Sequence, residues 1–338
     1  MIGYYVHHHG RGHLNRALSI CAHLREPVTL LSSLPIADSD AYRTIRLPRD
    51  DSEPVGADPT ANGVLHWAPL HDSGLRERMR IITEWVAVER PDVMVIDVSV
   101  EVAMLVRLLG VPIVVAAMPG ERIDAPHQLV YRTAEHIVAP WPREMYEPRW
   151  LREHSAKTTY AGGISRFDGR PAAPAAPPAS DGRPDVLVLS GAGGARIDTT
   201  SITRCAQAHP QFRWSSLGVP GGTWVEDPWP ALCAADVVIS AAGQGSIADI
   251  AAAAVPAIIV AAPRPFDEQH TMADVLRRGA LAVVRHRWPE PPEWPDLIDR
   301  ARACGAQGWN RWRTKGAAPR AATAIARVAA HHAQRSPS

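Results

Sequence analysis

The stretch from Ser240 to His270 constrains this chain more than any other, because it runs from glycine-rich turn to alanine-rich helix to buried strand to polar loop without a break. The turn, Ser240-Ala-Ala-Gly-Gln-Gly-Ser246, follows the apolar run Ala235–Ile239. Its backbone amides therefore sit where a strand ends and a helix begins. Helix N-termini carry unpaired N–H groups and the positive end of the helix dipole, and glycines let a phosphate approach the main chain. Asp249 lies one turn into the helix, placed to accept hydrogen bonds from the hydroxyls of a sugar. Phosphate plus ribose points to a nucleotide.

The same strand-to-helix rhythm runs through the first half: Ile2–Val6, Leu14–Leu24, Val28–Leu31, Met79–Val88, Val93–Ile96, Val100–Leu109 and Ile113–Ala116 alternate between strand-like and helix-like patterns. Such alternation predicts an α/β fold with a parallel sheet covered by helices. The pattern restarts at Asp185–Leu189, followed by the glycine loop Ser190-Gly-Ala-Gly-Gly-Ala195. Between the two series, Pro171 to Pro184 is rich in proline, alanine and small polar residues with no hydrophobic period, the composition of a semi-rigid linker. A chain of 338 residues is also long for one core, so two domains are expected. Ala317 to Gln334 reads as an alanine-rich helix that could pack on either domain, with Trp309 and Trp312 before it as packing residues.

Composition narrows the function classes. A formal net charge of +1 argues against nucleic acid or an anionic surface as the main partner. The four cysteines, Cys21, Cys205, Cys233 and Cys304, form no C-x-x-C pair, so neither a zinc site nor a disulfide framework is signalled, and a cytoplasmic setting is expected. The N-terminus has no leader pattern, and the longest apolar runs are too short for a membrane span.

The first glycine loop reads His7-His-His-Gly-Arg-Gly-His13. Strand alternation puts His7 and His9 on one side and His8 on the other, with no acidic partner nearby in sequence, so metal binding there is disfavoured. His13 opens a predicted helix just after the loop, at the sheet edge where open α/β folds bind ligands. An imidazole there is a candidate general base, or else a helix-capping group. Neither Gly10-x-Gly12 nor Gly191-x-Gly193 completes a dinucleotide fingerprint, since Asn15 and Arg196 stand at the third glycine position. No P-loop sequence occurs, and the pair Asp38 and Asp40 lacks a supporting strand for a metal role.

Together these loops resemble the two-domain GT-B glycosyltransferases, and within them family 28, typified by the bacterial lipid II-forming N-acetylglucosaminyltransferases. Gly10-Arg-Gly-His13 is similar to that family's first glycine loop, and Gly162-Gly-Ile-Ser-Arg166 to its G-N-P-V-R segment, whose arginine approaches the donor phosphates. Ser190 to Arg196 resembles its diphosphate loop, G-G-S-x-G-A-R, and Trp224-Val225 stands where main-chain groups read the uracil edge. Ser240 to Asp249 matches S-x-x-G-x-x-[ST]-x-x-[ED], in which the turn binds diphosphate and the acid binds ribose; Asp267-Glu-Gln269-His270 resembles the sugar-holding D-x-Q-Q. Three departures stand out: Asp249 replaces a glutamate, His270 replaces a glutamine, and Ala117-Met-Pro-Gly-Glu-Arg122 replaces the family's H-E-Q-N segment.

The resemblance implies two Rossmann-like domains facing across a cleft, residues 1–161 for the acceptor and 162–316 for the donor, with 171–184 as linker and the helix at about 317–334 free to pack back on the first domain. It implies an inverting hexosyltransferase that moves a sugar from a UDP-sugar, or a dTDP-sugar, to an acceptor hydroxyl or amine of a small molecule or lipid-linked precursor, with no metal or other cofactor and at most peripheral membrane contact. His13 would be the base. Donor contacts would come from Arg166, Ser190, Gly191, Gly194, Trp224, Val225, Gly243, Gln244, Gly245, Ser246, Asp249, Gln269 and His270, and acceptor contacts from Gly12, Asp97 and Glu121. A nucleotide-sugar 2-epimerase and an inactive nucleotide-sugar-binding partner remain as alternatives.

Overall fold

A computed structural model describes the whole chain apart from residues 53, 54, 56, 173–180, 192–196 and 335–338. Part of the linker read at 171–184, and Gly194 with most of its loop, lie outside the described residues.

The first series of elements is β1 (Ile2–Val6), α1 (Gly12–Cys21), β2 (Val28–Ser32), β3 (Arg43–Arg46), α2 (Ser73–Glu89), β4 (Val93–Asp97), α3 (Val100–Leu108), β5 (Ile113–Ala116), α4 (Ala125–Thr133), β6 (His136–Ala139), α5 (Arg149–Arg152) and β7 (Thr158–Tyr160). Their strands form a seven-stranded sheet in the order β3-β2-β1-β4-β5-β6-β7. Every pairing in it is parallel, with Ile2 opposite Val28 on one side and Val93 on the other. The apolar strands β1 and β4 are buried along their full length, as a sheet covered on both faces requires.

The second series is β8 (Asp185–Leu189), α6 (Thr199–Ala208), β9 (Arg213–Leu217), α7 (Trp229–Ala234), β10 (Val237–Ser240), α8 (Gln244–Ala253), β11 (Ala257–Val260), α9 (Glu268–Arg278), β12 (Val283–Arg285) and α10 (Trp294–Cys304). Its five strands, also parallel, run in the order β12-β11-β10-β8-β9. Each sheet reverses its winding once: β1 and β4 flank the switch in the first, β8 and β10 in the second. Ligands of open α/β sheets bind outside the carboxyl ends of the strands at such a switch. In both sheets the glycine loops of the sequence fall there.

The last helix, α11 (Ala317–Ala333), returns to the first domain. Its alanines Ala317, Ala318, Ala321 and Ala322 share a core with Tyr4, Leu14 and Ile20, small side chains that let the helix lie close on α1. The crossing is pinned by Trp309 and Trp312, both buried: the Trp309 indole donates to the Val255 carbonyl at 2.8 Å, and Gly163 N–H donates to the Trp312 carbonyl at 3.0 Å. Among the described residues, no helix is long and apolar enough to cross a membrane.

Candidate active site

β4 ends at Asp97, and Val98 then takes φ 64°, a left-handed conformation that is costly for a β-branched residue. Ser99 caps α3 by accepting from Val102 N–H at 3.1 Å. This sharp reversal leaves the Asp97 carboxylate at the end of the strand, beside the first turn of α1. There His13 Nδ1 lies 2.8 Å from Asp97 Oδ1, and Arg16, one turn further along α1, donates from Nε to Asp97 Oδ2 at 3.0 Å and from Nη2 to Oδ1 at 2.5 Å. Burial alone would raise the Asp97 pKa, but the Arg16 and His13 charges and hydrogen bonds overcome it and hold the carboxyl well below its usual range. Asp97, expected from the sequence near the acceptor, is 0% exposed, and as an acceptor-only group it fixes His13 with the proton on Nδ1. His13 itself keeps 16% of its side chain accessible, and its Nε2 is left for chemistry.

The α1 terminus faces the second domain at close range. Arg16 Nη1 donates to Gln244 Oε1 at 2.9 Å, and a Cβ placed on Gly245 would lie 3.8 Å from the Cα of Gly12. α8 begins at Gln244 with Gly243 as its N-cap and no capping side chain, which leaves its first amides to a ligand. Gly12, Asn15, Arg16, Pro140, Ile164, Arg166, Gln244, Gly245 and Asp249 line the cleft between the two helix ends. Across from α8, a Cβ on Gly191 would stand 3.9 Å from Ser246 Oγ, which brings the end of β8 beside the first turn of α8. Ser190 is buried at this junction. Gly218, at φ 70°, passes so close to the Ser190 carbonyl that a Cβ would lie 2.2 Å from its oxygen, and only glycine fits. Trp224 is 54% exposed beside it, with Val225 next along, a free aromatic face at the rim of the glycine loop.

Asp249 has a different immediate task from the one its position implied. It is buried, with Oδ1 accepting from Ser165 Oγ at 2.7 Å and Oδ2 from Arg166 Nε at 3.2 Å. Burial raises its pKa, while Arg166 and Ser165 pull the other way. The carboxylate thus ties the Gly162–Arg166 segment to α8 and holds the guanidinium in the cleft. Gln269 is likewise committed: its Oε1 accepts from Ala262 N–H at 3.0 Å, bracing the loop before α9. His270 Nδ1 lies 2.7 Å from Asp267 Oδ1, and its ring is 5.3 Å from that of His286 in the same domain.

A second interdomain contact was not legible in the sequence. Phe266 and Asp267 both adopt left-handed backbone, with φ 59° and 55°. The Phe266 ring lies 4.5 Å from the Arg122 guanidinium carbon, 4.7 Å from His127 and 5.2 Å from His66. The Phe266 carbonyl accepts from Glu121 N–H at 2.8 Å, and Arg122 Nη2 donates to Glu268 Oε2 at 3.3 Å. The side chain of Glu121 is exposed. Asp124 joins the two histidines: Oδ2 is 2.6 Å from His66 Nε2, and Oδ1 pairs with His127 Nδ1. Burial brings the His127 pKa down to about 4. The segment replacing H-E-Q-N therefore clasps the loop expected to hold the donor sugar.

Among the described residues two clusters have metal-ligand composition, His8 with His9 and Asp51, and His66 with Asp124 and His127. The first corrects the strand-alternation argument, since the chain leaves the strand at Val6 and both His8 and His9 reach Asp51, at 3.3 and 3.2 Å. Each cluster also contains a guanidinium. Arg49 Nε and Nη2 hold both Asp51 oxygens at 2.8 and 2.7 Å, and Arg122 Nη1 approaches His127 Nε2 at 3.2 Å. A cation in either place would sit against an arginine, so hydrogen-bonded charge networks fit these residues better.

Comparison with known proteins agrees with the geometry. Residues 222–285 match the model of the glycosyltransferase family 28 C-terminal domain. Over 86% of its length the chain is 26% identical to a Paenarthrobacter aurescens UDP-N-acetylglucosamine–N-acetylmuramyl-(pentapeptide) pyrophosphoryl-undecaprenol N-acetylglucosamine transferase, of which 86% is covered. The solved glycotransferase of kitacinnamycin superposes with a TM-score of 0.70 at 16% identity, covering 99% of both chains. Acinetobacter baumannii MurG superposes at 0.60 and 15% identity, covering 96% of this chain and 99% of its own. Two parallel sheets meeting at their switch points, with these solved structures, define the GT-B fold. Within that fold the chain is a glycosyltransferase that is similar to family 28.

Proposed function

We propose that this glycosyltransferase moves a sugar from a nucleoside diphosphate-sugar, a UDP-sugar in the first instance and dTDP-sugar as the alternative, to an acceptor hydroxyl or amine with inversion at the anomeric carbon. The observation that carries the reading is the His13–Asp97 pair, 2.8 Å apart, joined through Arg16 to Gln244 at the uncapped start of α8. His13 Nε2 takes the acceptor proton as the acceptor oxygen or nitrogen bonds to the anomeric carbon. The glycosidic C–O bond breaks and its electron pair leaves with the diphosphate. Asp97 keeps Nδ1 protonated and stabilises the imidazolium that forms. Amides of α8, the Gly191 loop and Arg166 receive the growing negative charge, which supplies positive potential without a metal. Closure of the cleft excludes water and aligns the reactants.

In this reading Trp224 and Val225 hold the base of the nucleotide, and Asp249 adds a ribose contact through the lone pairs its bonds to Ser165 and Arg166 leave over. Gln269 and His270 shape the sugar subsite, and Gly12 and Glu121 border the acceptor, a small natural product or a lipid-linked envelope precursor. The work is cytoplasmic, with peripheral contact where the acceptor is membrane-borne. Two observations support the donor class: the family 28 match over residues 222–285, and a relative whose name specifies UDP-N-acetylglucosamine. The test is nucleotide release from UDP- and dTDP-sugars with a pool of acceptors. Turnover should require acceptor and disappear in His13→Ala. Full turnover in that variant removes His13 as base. Conversion of donor without acceptor identifies an epimerase, and donor binding with no turnover against any acceptor identifies a binding partner.

A further inference from the structure

Arg16 was singled out by neither motif nor resemblance, yet it is the only described side chain hydrogen-bonded both to the His13–Asp97 pair and to the start of α8. It is buried on α1, where a charge must be fully paired to be tolerated. Its pairing divides between two domains. Nε and Nη2 are spent on Asp97, with Nη2 also 3.1 Å from His13 Nδ1 and 3.6 Å from the Met118 sulfur, while Nη1 alone reaches Gln244 Oε1. That bond orients the Gln244 amide, and its Nε2 is left buried without a hydrogen-bond partner. A buried, unpartnered donor is rare enough to need a cause. Here it belongs to the first residue of an uncapped helix, in a cleft it shares with Arg166 and Gly245.

We propose that Gln244 Nε2 donates to an oxygen of the donor's diphosphate, and that Arg16 relays this contact to Asp97 and His13, so that donor binding is felt at the base. The inference rests on the donor site proposed above. The relay runs from phosphate oxygen to Gln244 amide, from Gln244 Oε1 to Arg16 Nη1, and from Arg16 to the carboxylate that fixes His13. With no diphosphate the bridge from Arg16 Nη1 to Gln244 Oε1 is already made, and Gln244 Nε2 is the one donor in it that lacks a partner. Arg16 is a positioning residue, since it touches the base and not the substrate.

The experiment uses the full chain with histidine ring nitrogens labelled with nitrogen-15, the His13 signals being identified by their loss in His13→Gln, and UDP as the probe. Calorimetry on the same samples measures UDP binding independently. In the wild type, saturating UDP should shift the His13 ring nitrogens. In Gln244→Leu, UDP should still bind, about fivefold more weakly for one lost hydrogen bond, and the His13 signals should stay at their nucleotide-free positions. Arg16→Lys, which retains a charge for Asp97 but cannot span to Gln244, should behave the same way and serves if Gln244→Leu is unstable. Equal His13 shifts in the wild type and both variants would overturn the relay while leaving the donor site intact. Absence of UDP binding to the wild type would overturn the relay together with the donor site.

Discussion

Replacing Asp97 by asparagine probes the centre of the site. Three N–H donors, His13 Nδ1, Arg16 Nε and Arg16 Nη2, converge on the two oxygens of a fully buried carboxylate. Asparagine offers one acceptor oxygen and turns an NH2 against the remaining donors, so the buried guanidinium loses its counter-charge. Removing one partner of a buried ion pair costs about 3–5 kcal/mol. At roughly 2–4 °C per kcal/mol for a domain of this size, the first domain should melt on the order of 6–20 °C lower. Turnover should drop further than stability explains, by about 10²- to 10⁴-fold, because the base loses the group that sets its tautomer. The double variant Asp97→Asn with Arg16→Met removes the stranded charge as well, so its loss should fall short of the sum of the single losses by roughly 1–3 kcal/mol. Thermal unfolding by circular dichroism and steady-state turnover on the four proteins measure both quantities. An Asp97→Asn protein that melts with the wild type, or strictly additive losses, would refute the reasoning from convergent donors.

Two further outcomes test the interdomain clasp. Gly120 has φ 100°, and a Cβ there would lie 2.1 Å from the Phe266 carbonyl oxygen, so Gly120→Ala should push the domains apart and enlarge the radius of gyration in small-angle scattering; an unchanged curve contradicts the contact. His127 has its pKa depressed from 6.5 to about 4 by burial, so the folded state binds its proton later than the unfolded chain does. Stability from this group is full above about pH 6.5 and is lost as pH falls towards 4, on the order of 3 kcal/mol in all. Melting temperatures of wild type and His127→Gln should therefore converge with acidification over that window, and parallel curves would remove His127 as the cause.

The two-domain α/β plan was legible because it is written in local periodicity: apolar strands such as Val93–Ile96 and glycine turns such as Ser240–Ser246 declare themselves within a few residues. The edge strand β3 was not, since Arg43-Thr-Ile-Arg46 is only half-buried and carries no apolar pattern to distinguish it from a loop. α2 starts earlier than the apolar pattern at Met79 indicates because Asp72 caps it, accepting from Leu75 N–H at 2.6 Å. At the site, sequence pointed to His13 and to Asp97 but did not join them. Asp97 meets Arg16 across 81 positions, and Arg16 meets Gln244 across 228, separations over which no spacing rule operates. One signal was available for Arg16: an arginine among Leu14, Ala17 and Ile20, on a helix whose other residues there are apolar and buried. The clasp of Phe266 on Arg122, His66 and His127 joins three distant loops in the same way, and its residues look like ordinary surface until the chain is folded.

The stereochemistry of the transferred sugar tests the central claim most directly. In the proposed mechanism His13, held by Asp97, is the base and the diphosphate lies at the start of α8, so displacement proceeds through the face opposite the leaving group. Proton NMR of the product from an α-linked UDP-sugar, read at the anomeric coupling constant as it first forms, should give a β-linkage, with UDP released in equal amount and none of either from His13→Ala. An α-linked product, or product formed at the wild-type rate without His13, would contradict the account.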